Sequence, residues 1–115
     1  MEITIDREPQ ITRVAIEGRF DAHTVPQYIA EVVEQIDGHR PNVVLDLAGV
    51  EFMDSSALAA LVKTLKRCME HGGDVILVGV ADAARIILEL TRLDRVFTRA
   101  ESTEAARTRV LARSA

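Results

Sequence analysis

Long apolar runs and pairs of cysteines are the first things that this 115-residue sequence lacks. No stretch approaches the roughly 20 apolar residues of a membrane-spanning helix, so we expect no membrane insertion. The single cysteine, Cys68, cannot form a disulfide within the chain, which favours a reducing compartment. The opening residues, MEITIDREPQ, lack the basic and then apolar regions of a signal peptide. These absences together predict a cytoplasmic protein.

Aromatic residues and clustered positive charge are also scarce. The only aromatic residues are Phe20, Tyr28, Phe52 and Phe97, too few for a platform on which nucleic-acid bases stack. Residues 1–54 carry 4 basic and 11 acidic side chains, so the first half of the chain would repel a polyanion. We therefore expect no nucleic acid among the partners.

What remains is an ordinary globular composition, 48% apolar and 28% charged, with two different apolar periods. Alternation of apolar and polar residues indicates strands, and spacings of three and four residues indicate helices. The predicted elements are strands at 2–6 and 11–18, a helix at 24–38, a strand at 43–47, a turn at 48–49, a helix at 55–71, a strand at 75–78, a helix at about 82–91, a strand near 96–97 and a helix from about 102. This order predicts one α/β domain over residues 1–115, with a small mixed sheet of an N-terminal hairpin and parallel strands.

Three of the helices carry apolar stripes that predict which side chains they bury. In the helix at 24–38 the stripe comprises Val25, Tyr28, Ile29, Val32, Val33 and Ile36. In the helix at 55–71 the stripe comprises Leu58, Leu61, Val62, Leu65, Cys68 and Met69. In the helix at about 82–91 it comprises Ala83, Ile86, Ile87 and Leu90. A buried cysteine on such a stripe is expected to be inert.

The segment with the most specific chemistry is VLDLAGVEFMDSSAL, residues 44–58, which leads from a strand through a loop into a helix. Ligands and partners of α/β proteins often bind just beyond the carboxyl ends of strands. Asp54 and Ser55 are both good N-cap residues, so one interpretation of the segment is helix capping alone. The other is a phosphorylation site, because the unpaired amides and the dipole at a helix start stabilise an added phosphate.

This segment resembles the signature of STAS domains, specifically the anti-sigma factor antagonists of bacterial partner-switching systems. The resemblance extends over nearly the whole chain. Residues 14–21 (VAIEGRFD), 72–77 (GGDVIL) and 90–97 (LTRLDRVF) are similar to the family's second strand with its turn, its fourth strand and its late helix-to-strand turn. Two residues depart from the usual pattern, since Ala57 and Arg92 stand where the family commonly has glycine.

The resemblance implies a fold, a mechanism and a set of residues. The fold is the STAS-type β–α superhelix with about four helices. Ser55 is the expected phosphoacceptor, and Asp21, Asp54, Ser55, Ser56 and Ala57 are the expected partner-binding residues. The unphosphorylated form would bind an anti-sigma factor that is also a serine protein kinase, and thereby release a sigma factor. Phosphorylation would end that binding, and a metal-dependent PP2C-type phosphatase would reverse it.

Two other functional classes stay open beside this one. The chain would suit a constitutive STAS subunit of a bacterial lipid-transport ATPase complex, in which Ser55 would serve only the helix start. An enzyme is not expected, because Ser55 lacks the Gly-x-Ser-x-Gly elbow of hydrolases and the sequence has no Walker-type phosphate loop. No histidines and carboxylates have the spacing of metal ligands, so neither a metal nor a cofactor is expected.

Overall fold

The computed structural model of the protein describes residues 1–114. Its strands and helices are β1 (Glu2–Glu8), β2 (Ile11–Phe20), α1 (Val25–Glu31), β3 (Asn42–Met53), α2 (Ser55–Glu70), β4 (Val75–Val78), α3 (Asp82–Leu90), β5 (Thr98–Ala100) and α4 (Thr103–Ser114). Single 3₁₀ turns follow α1 at Val33–Gln35 and α3 at Leu93–Arg95.

The five strands form one sheet in the order β1-β2-β3-β4-β5. β1 and β2 are antiparallel neighbours, and β3, β4 and β5 each pair in parallel with the strand before them. This confirms the predicted α/β class and the mixed sheet with an N-terminal hairpin. Parallel neighbours also place the carboxyl ends of β2 and β3 together at one edge of the sheet, with Phe20 beside Met53.

The core lies on both faces of the sheet, because alternate side chains of a strand point to opposite faces. Val43 and Leu45 of β3 belong to the larger cluster, which α1, α2 and α3 cover. Val44, between them, belongs to a smaller cluster under α4. Cys68 lies in the larger cluster, where burial, with a further effect from the charge of Asp74, raises the pKa of its thiol to about 12. The predicted burial of Cys68 is thus confirmed.

β3 is much longer than predicted, and the turn predicted at residues 48–49 is wrong. The strand runs to Met53, because it stays paired with β2 through two register shifts. Gly49 serves this pairing rather than a turn. A Cβ there would lie 2.7 Å from Glu17 Cγ, closer than Cβ contacts come, and 3.2 Å from the Ile16 carbonyl oxygen, which is also tight.

α1 ends earlier than the helix predicted at 24–38, although its apolar stripe is buried as expected. The α-helical segment stops at Glu31, and β-branched Val32 and Val33 lead into the 3₁₀ turn. Two adjacent β-branched side chains lose rotamer freedom against the preceding turn of an α-helix, which lowers the helix propensity here. Tyr28, before these two valines, and Ile36, after the 3₁₀ turn, are both buried in the core.

The predicted inner face of α3 is wrong for Ile86 and Leu90, although Ile87 is half-buried and packs against the larger core cluster. Its buried side chains are Ala84 and Leu88, whereas Ile86 is 50% exposed and Leu90 is 80% exposed. α3 carries apolar residues around most of its circumference, so periodicity alone could not choose the face. Met69, at the end of the α2 stripe, is also exposed rather than buried.

The last strand lies two residues later than predicted. A strand was expected near residues 96–97, but the N–H groups of Val96 and Phe97 donate to the carbonyl oxygen of Leu93 at 2.9 and 3.3 Å. These bonds close the 3₁₀ turn Leu93–Arg95 and delay β5 to Thr98–Ala100.

Candidate functional site

The candidate site lies where the carboxyl ends of β2 and β3 meet the amino end of α2. The N–H of Asp54 donates to the carbonyl oxygen of Phe20 at 3.4 Å, which joins the loop after β3 to the end of β2. We refer to Asp21, Ala22, Asp54, Ser55 and Ser56 as the helix-start site. The structure therefore brings together the two predicted acidic residues, which are 33 positions apart in the sequence.

Asp54 caps α2 and also holds the loop after β2. Its backbone is extended, and its Oδ1 accepts the N–H of Ala57 at 3.0 Å, which makes it the N-cap. Its Oδ2 accepts the N–H of Ala22 at 3.1 Å. One carboxylate thus uses both oxygens to fix the helix start against the neighbouring loop.

Asp21 organises the loop after β2 from a largely buried position. It is 8% exposed, and its Oδ1 accepts the N–H groups of His23 at 3.0 Å and Thr24 at 3.3 Å. Burial alone would raise the pKa of this carboxyl, but the hydrogen bonds from His23, Arg19 and Thr24 together lower it below the usual value. Asp21 is therefore ionised at neutral pH, and most of its hydrogen-bonding capacity is used within the chain.

Ser55 is the first residue of α2 and is exposed. Within residues 1–114 its side-chain oxygen has no hydrogen-bond partner, and the capping bond from the Ala57 N–H is accepted by Asp54 instead. The N–H groups of Ser55 and Ser56 belong to the first turn and have no acceptor within the helix. The result is an accessible hydroxyl beside two unpaired amides, with no structural task of its own.

The two residues after Ser55 turn progressively inward. Ser56 is half-buried, and Ala57 has no exposed surface at all. Ala57 was expected among the partner-binding residues, but it packs in the larger core cluster beneath α2. Because Ala57 is fully buried, a partner cannot contact it directly, and we leave Ala57 out of the contact surface proposed below.

Sequence reasoning missed two residues beside this site, Arg19 and Phe52. They are paired across β2 and β3, and the Arg19 guanidinium carbon lies 4.1 Å from the centroid of the Phe52 ring. Phe52 is 38% exposed, whereas the other aromatic residues of the chain are buried. The missed signal is positional, since Phe52 is only two residues before Asp54 and Arg19 only two before Asp21.

Among residues 1–114, no three histidine, cysteine or carboxylate side chains are grouped so that they could hold a metal ion. None of the helices there has the length and apolar character needed to cross a bilayer.

A model of the STAS domain family matches residues 2–106, and the chain therefore belongs to the STAS domain family. It is similar to the anti-sigma-B factor antagonist of Staphylococcus aureus, with 29% identity over 106 residues that cover 90% of this chain and 96% of the relative. A solved anti-sigma-factor antagonist (STAS) domain protein from Planctomyces limnophilus is 28% identical, with 98% of both chains covered and a TM-score of 0.79.

The fold is also shared with SpoIIAA, an anti-sigma factor antagonist solved in two states. Its unphosphorylated form gives a TM-score of 0.75 at 17% identity, with 96% of this chain and 98% of that chain covered. Its phosphorylated form gives 0.73 at 20% identity, with 95% and 99% covered. At these identities the likeness shows the fold alone, and it confirms the predicted STAS architecture.

Proposed function

We propose that this chain is a phosphorylation-controlled partner-switching regulator and has no catalytic role. Unphosphorylated at Ser55, it binds an anti-sigma factor that is also a serine protein kinase, so that the kinase releases its sigma factor. The kinase phosphorylates Ser55 and the complex dissociates, after which a PP2C-type phosphatase restores the binding form. We place the protein and these partners in the cytoplasm.

The observation that supports this proposal most strongly is that Asp54, and not Ser55, caps α2. If Ser55 capped α2, its hydroxyl would be needed for stability and would have a structural explanation. Asp54 supplies the cap, and the exposed Ser55 oxygen has no bond within residues 1–114. A hydroxyl in this position is accessible to a kinase, and its modification leaves the helix start intact.

The charge that a phosphate adds is large enough to end a binding interaction. A phosphoserine carries about −1.5 to −2 charges near neutral pH, at a helix start whose dipole and free amides stabilise an anion. The fold therefore tolerates the phosphate, and in SpoIIAA both phosphorylation states share one fold. A 100-fold loss of affinity requires about 2.7 kcal/mol, which one like-charge contact in a partly buried interface can supply.

The proposal is tested by measuring the affinity of a candidate anti-sigma kinase for three variants by calorimetry. Ser55→Ala should bind like the wild type, because it removes only an unbonded hydroxyl. Ser55→Asp should lose about 100-fold or more in affinity, because it places a charge on the contact surface. Ser102→Asp is the matched control, since exposed Ser102 caps α4 through a bond from the Ala105 N–H and aspartate caps equally well.

The outcomes separate the proposal from its alternative. Equal binding by Ser55→Ala and Ser55→Asp would contradict a switch at this position. Stable co-purification with a lipid-transport ATPase, unchanged by Ser55→Asp, would instead identify a constitutive STAS subunit.

A further inference from the structure

An exposed aromatic ring beside the helix-start site calls for a physical explanation. Phe52 is 38% exposed at the end of β3, where its ring contributes little to either core cluster. Exposed aromatic and arginine side chains are enriched at the centres of protein–protein interfaces, where they carry much of the binding energy.

Arg19 holds one side of this ring in place. Its guanidinium carbon is 4.1 Å from the ring centroid, and its Nε donates to Asp21 Oδ2 at 3.4 Å. Asp21 is itself fixed by the loop after β2, so two contacts restrain an arginine side chain that is still 62% exposed. Neither terminal nitrogen of the guanidinium has a partner within residues 1–114.

The two side chains adjoin the helix-start site through the backbone. Phe52 and Met53 lead directly into Asp54 and Ser55, and the N–H of Asp54 bonds to the carbonyl oxygen of Phe20, the residue after Arg19. A protein that covers Ser55 therefore meets the end of β2 and β3 at the same time.

We propose that Arg19 and Phe52 form a second contact for the same partner, in which the Arg19 guanidinium binds a carboxylate of that partner over the edge of the Phe52 ring. This inference rests on the proposed function and adds the chemistry of the partner. A planar guanidinium with two free nitrogens matches a carboxylate in bidentate geometry. Its position, already restrained by Asp21 and Phe52, reduces the entropy lost when the partner binds.

The negative charge around Arg19 makes this contact selective for the partner. Glu17 and Glu51, both exposed, flank Arg19 and Phe52 along β2 and β3, and residues 1–54 carry 11 acidic side chains against 4 basic ones. Within this acidic region, Arg19 is the point at which a carboxylate of the partner is favoured. Such a pattern sets the register of the complex and disfavours partners whose charges are arranged differently.

The test measures the affinity of the kinase that phosphorylates Ser55 for four variants by calorimetry. Arg19→Gln should lower the affinity about tenfold, because it removes the positive charge. Phe52→Ala should lower the affinity by a similar factor, because it removes the ring on which the Arg19 guanidinium rests. Arg19→Lys should fall between Arg19→Gln and the wild type, because it keeps the charge without the planar fork. Arg92→Gln is the matched control: Arg92 is also exposed and has no side-chain partner within residues 1–114, and its loss changes the net charge equally.

The results distinguish failure of this inference from failure of the proposed function. If Arg19→Gln and Phe52→Ala bind as tightly as Arg92→Gln while Ser55→Asp does not bind, the second contact is wrong and the switch stands. If Arg19→Gln and Arg92→Gln weaken binding equally, the effect is one of net charge and the specific carboxylate is refuted. If no kinase that binds the wild type phosphorylates Ser55, both proposals fall.

Discussion

Replacing Asp54 tests how the helix-start site is built. Asp54→Ala removes the N-cap bond to the Ala57 N–H and the bond to the Ala22 N–H, which measure 3.0 and 3.1 Å. Loss of an N-cap costs about 1 kcal/mol, and loss of a hydrogen bond of this kind costs about 1 kcal/mol more. We therefore expect a fall of about 2 kcal/mol in the free energy of unfolding, or roughly 8 °C in Tm for a domain of this size.

Urea denaturation followed by circular dichroism would measure this fall, with two further variants to divide it. Asp54→Ser keeps an acceptor for the helix but cannot reach Ala22, so it should lose about 1 kcal/mol. Ser55→Ala should change the free energy of unfolding by no more than about 0.5 kcal/mol, because its hydroxyl is unbonded. A Ser55→Ala variant as unstable as Asp54→Ala would show that the serine caps the helix, and the reasoning behind the switch would fail.

Three further predictions concern the core and the attachment of α4. Thr64→Val should lower the free energy of unfolding by about 1–3 kcal/mol in urea denaturation, because the buried Tyr28 hydroxyl, which lies 2.7 Å from Thr64 Oγ1, loses its partner. The double variant with Tyr28→Phe should recover part of this loss, and no recovery would contradict the pairing. The hydrogen bond from Arg107 is the main reason that the pKa of Glu8 is lowered. The stability that this pair adds is therefore present above the usual carboxyl pKa, and it is lost as the pH falls through the pKa of Glu8 in the folded protein. The wild type should accordingly exceed Glu8→Gln in stability near pH 7 and lose that advantage near pH 3, and a constant difference would refute the linkage. Cys68, whose thiol pKa is raised to about 12 by burial, should be alkylated only as fast as the protein unfolds, and rapid labelling of the native protein by mass spectrometry would contradict its burial.

The order of strands and helices was accessible from the sequence because most segments have one clear apolar period. α3 shows where this fails, since its apolar residues span more than half of the helix circumference, and its packing on β3 decides that Ala84 and Leu88 point inward. The end of β3 shows a second limit. Its length depends on pairing with β2 across two register shifts, and no local pattern in residues 48–53 reports the identity of that neighbour.

The candidate site was predicted in its position but not in its internal arrangement. Asp54 and Ser55 are both good N-cap residues, so the sequence left open which of them caps α2. The choice depends on the extended backbone of Asp54 and on the Ala22 N–H that its second oxygen accepts, a contact between residues 32 positions apart. The stacking of Arg19 on Phe52 has the same origin, because only the β2–β3 register makes them neighbours.

The most direct measurement is the location of the phosphate after the protein is incubated with its candidate anti-sigma kinase and ATP. Mass spectrometry of the digested protein should find a single phosphate on Ser55, and the Ser55→Ala variant should remain unmodified under the same conditions. A phosphate on Ser56 or at any other position in the wild type, or full modification of Ser55→Ala, would contradict the claim that the free hydroxyl at the start of α2 is the switch.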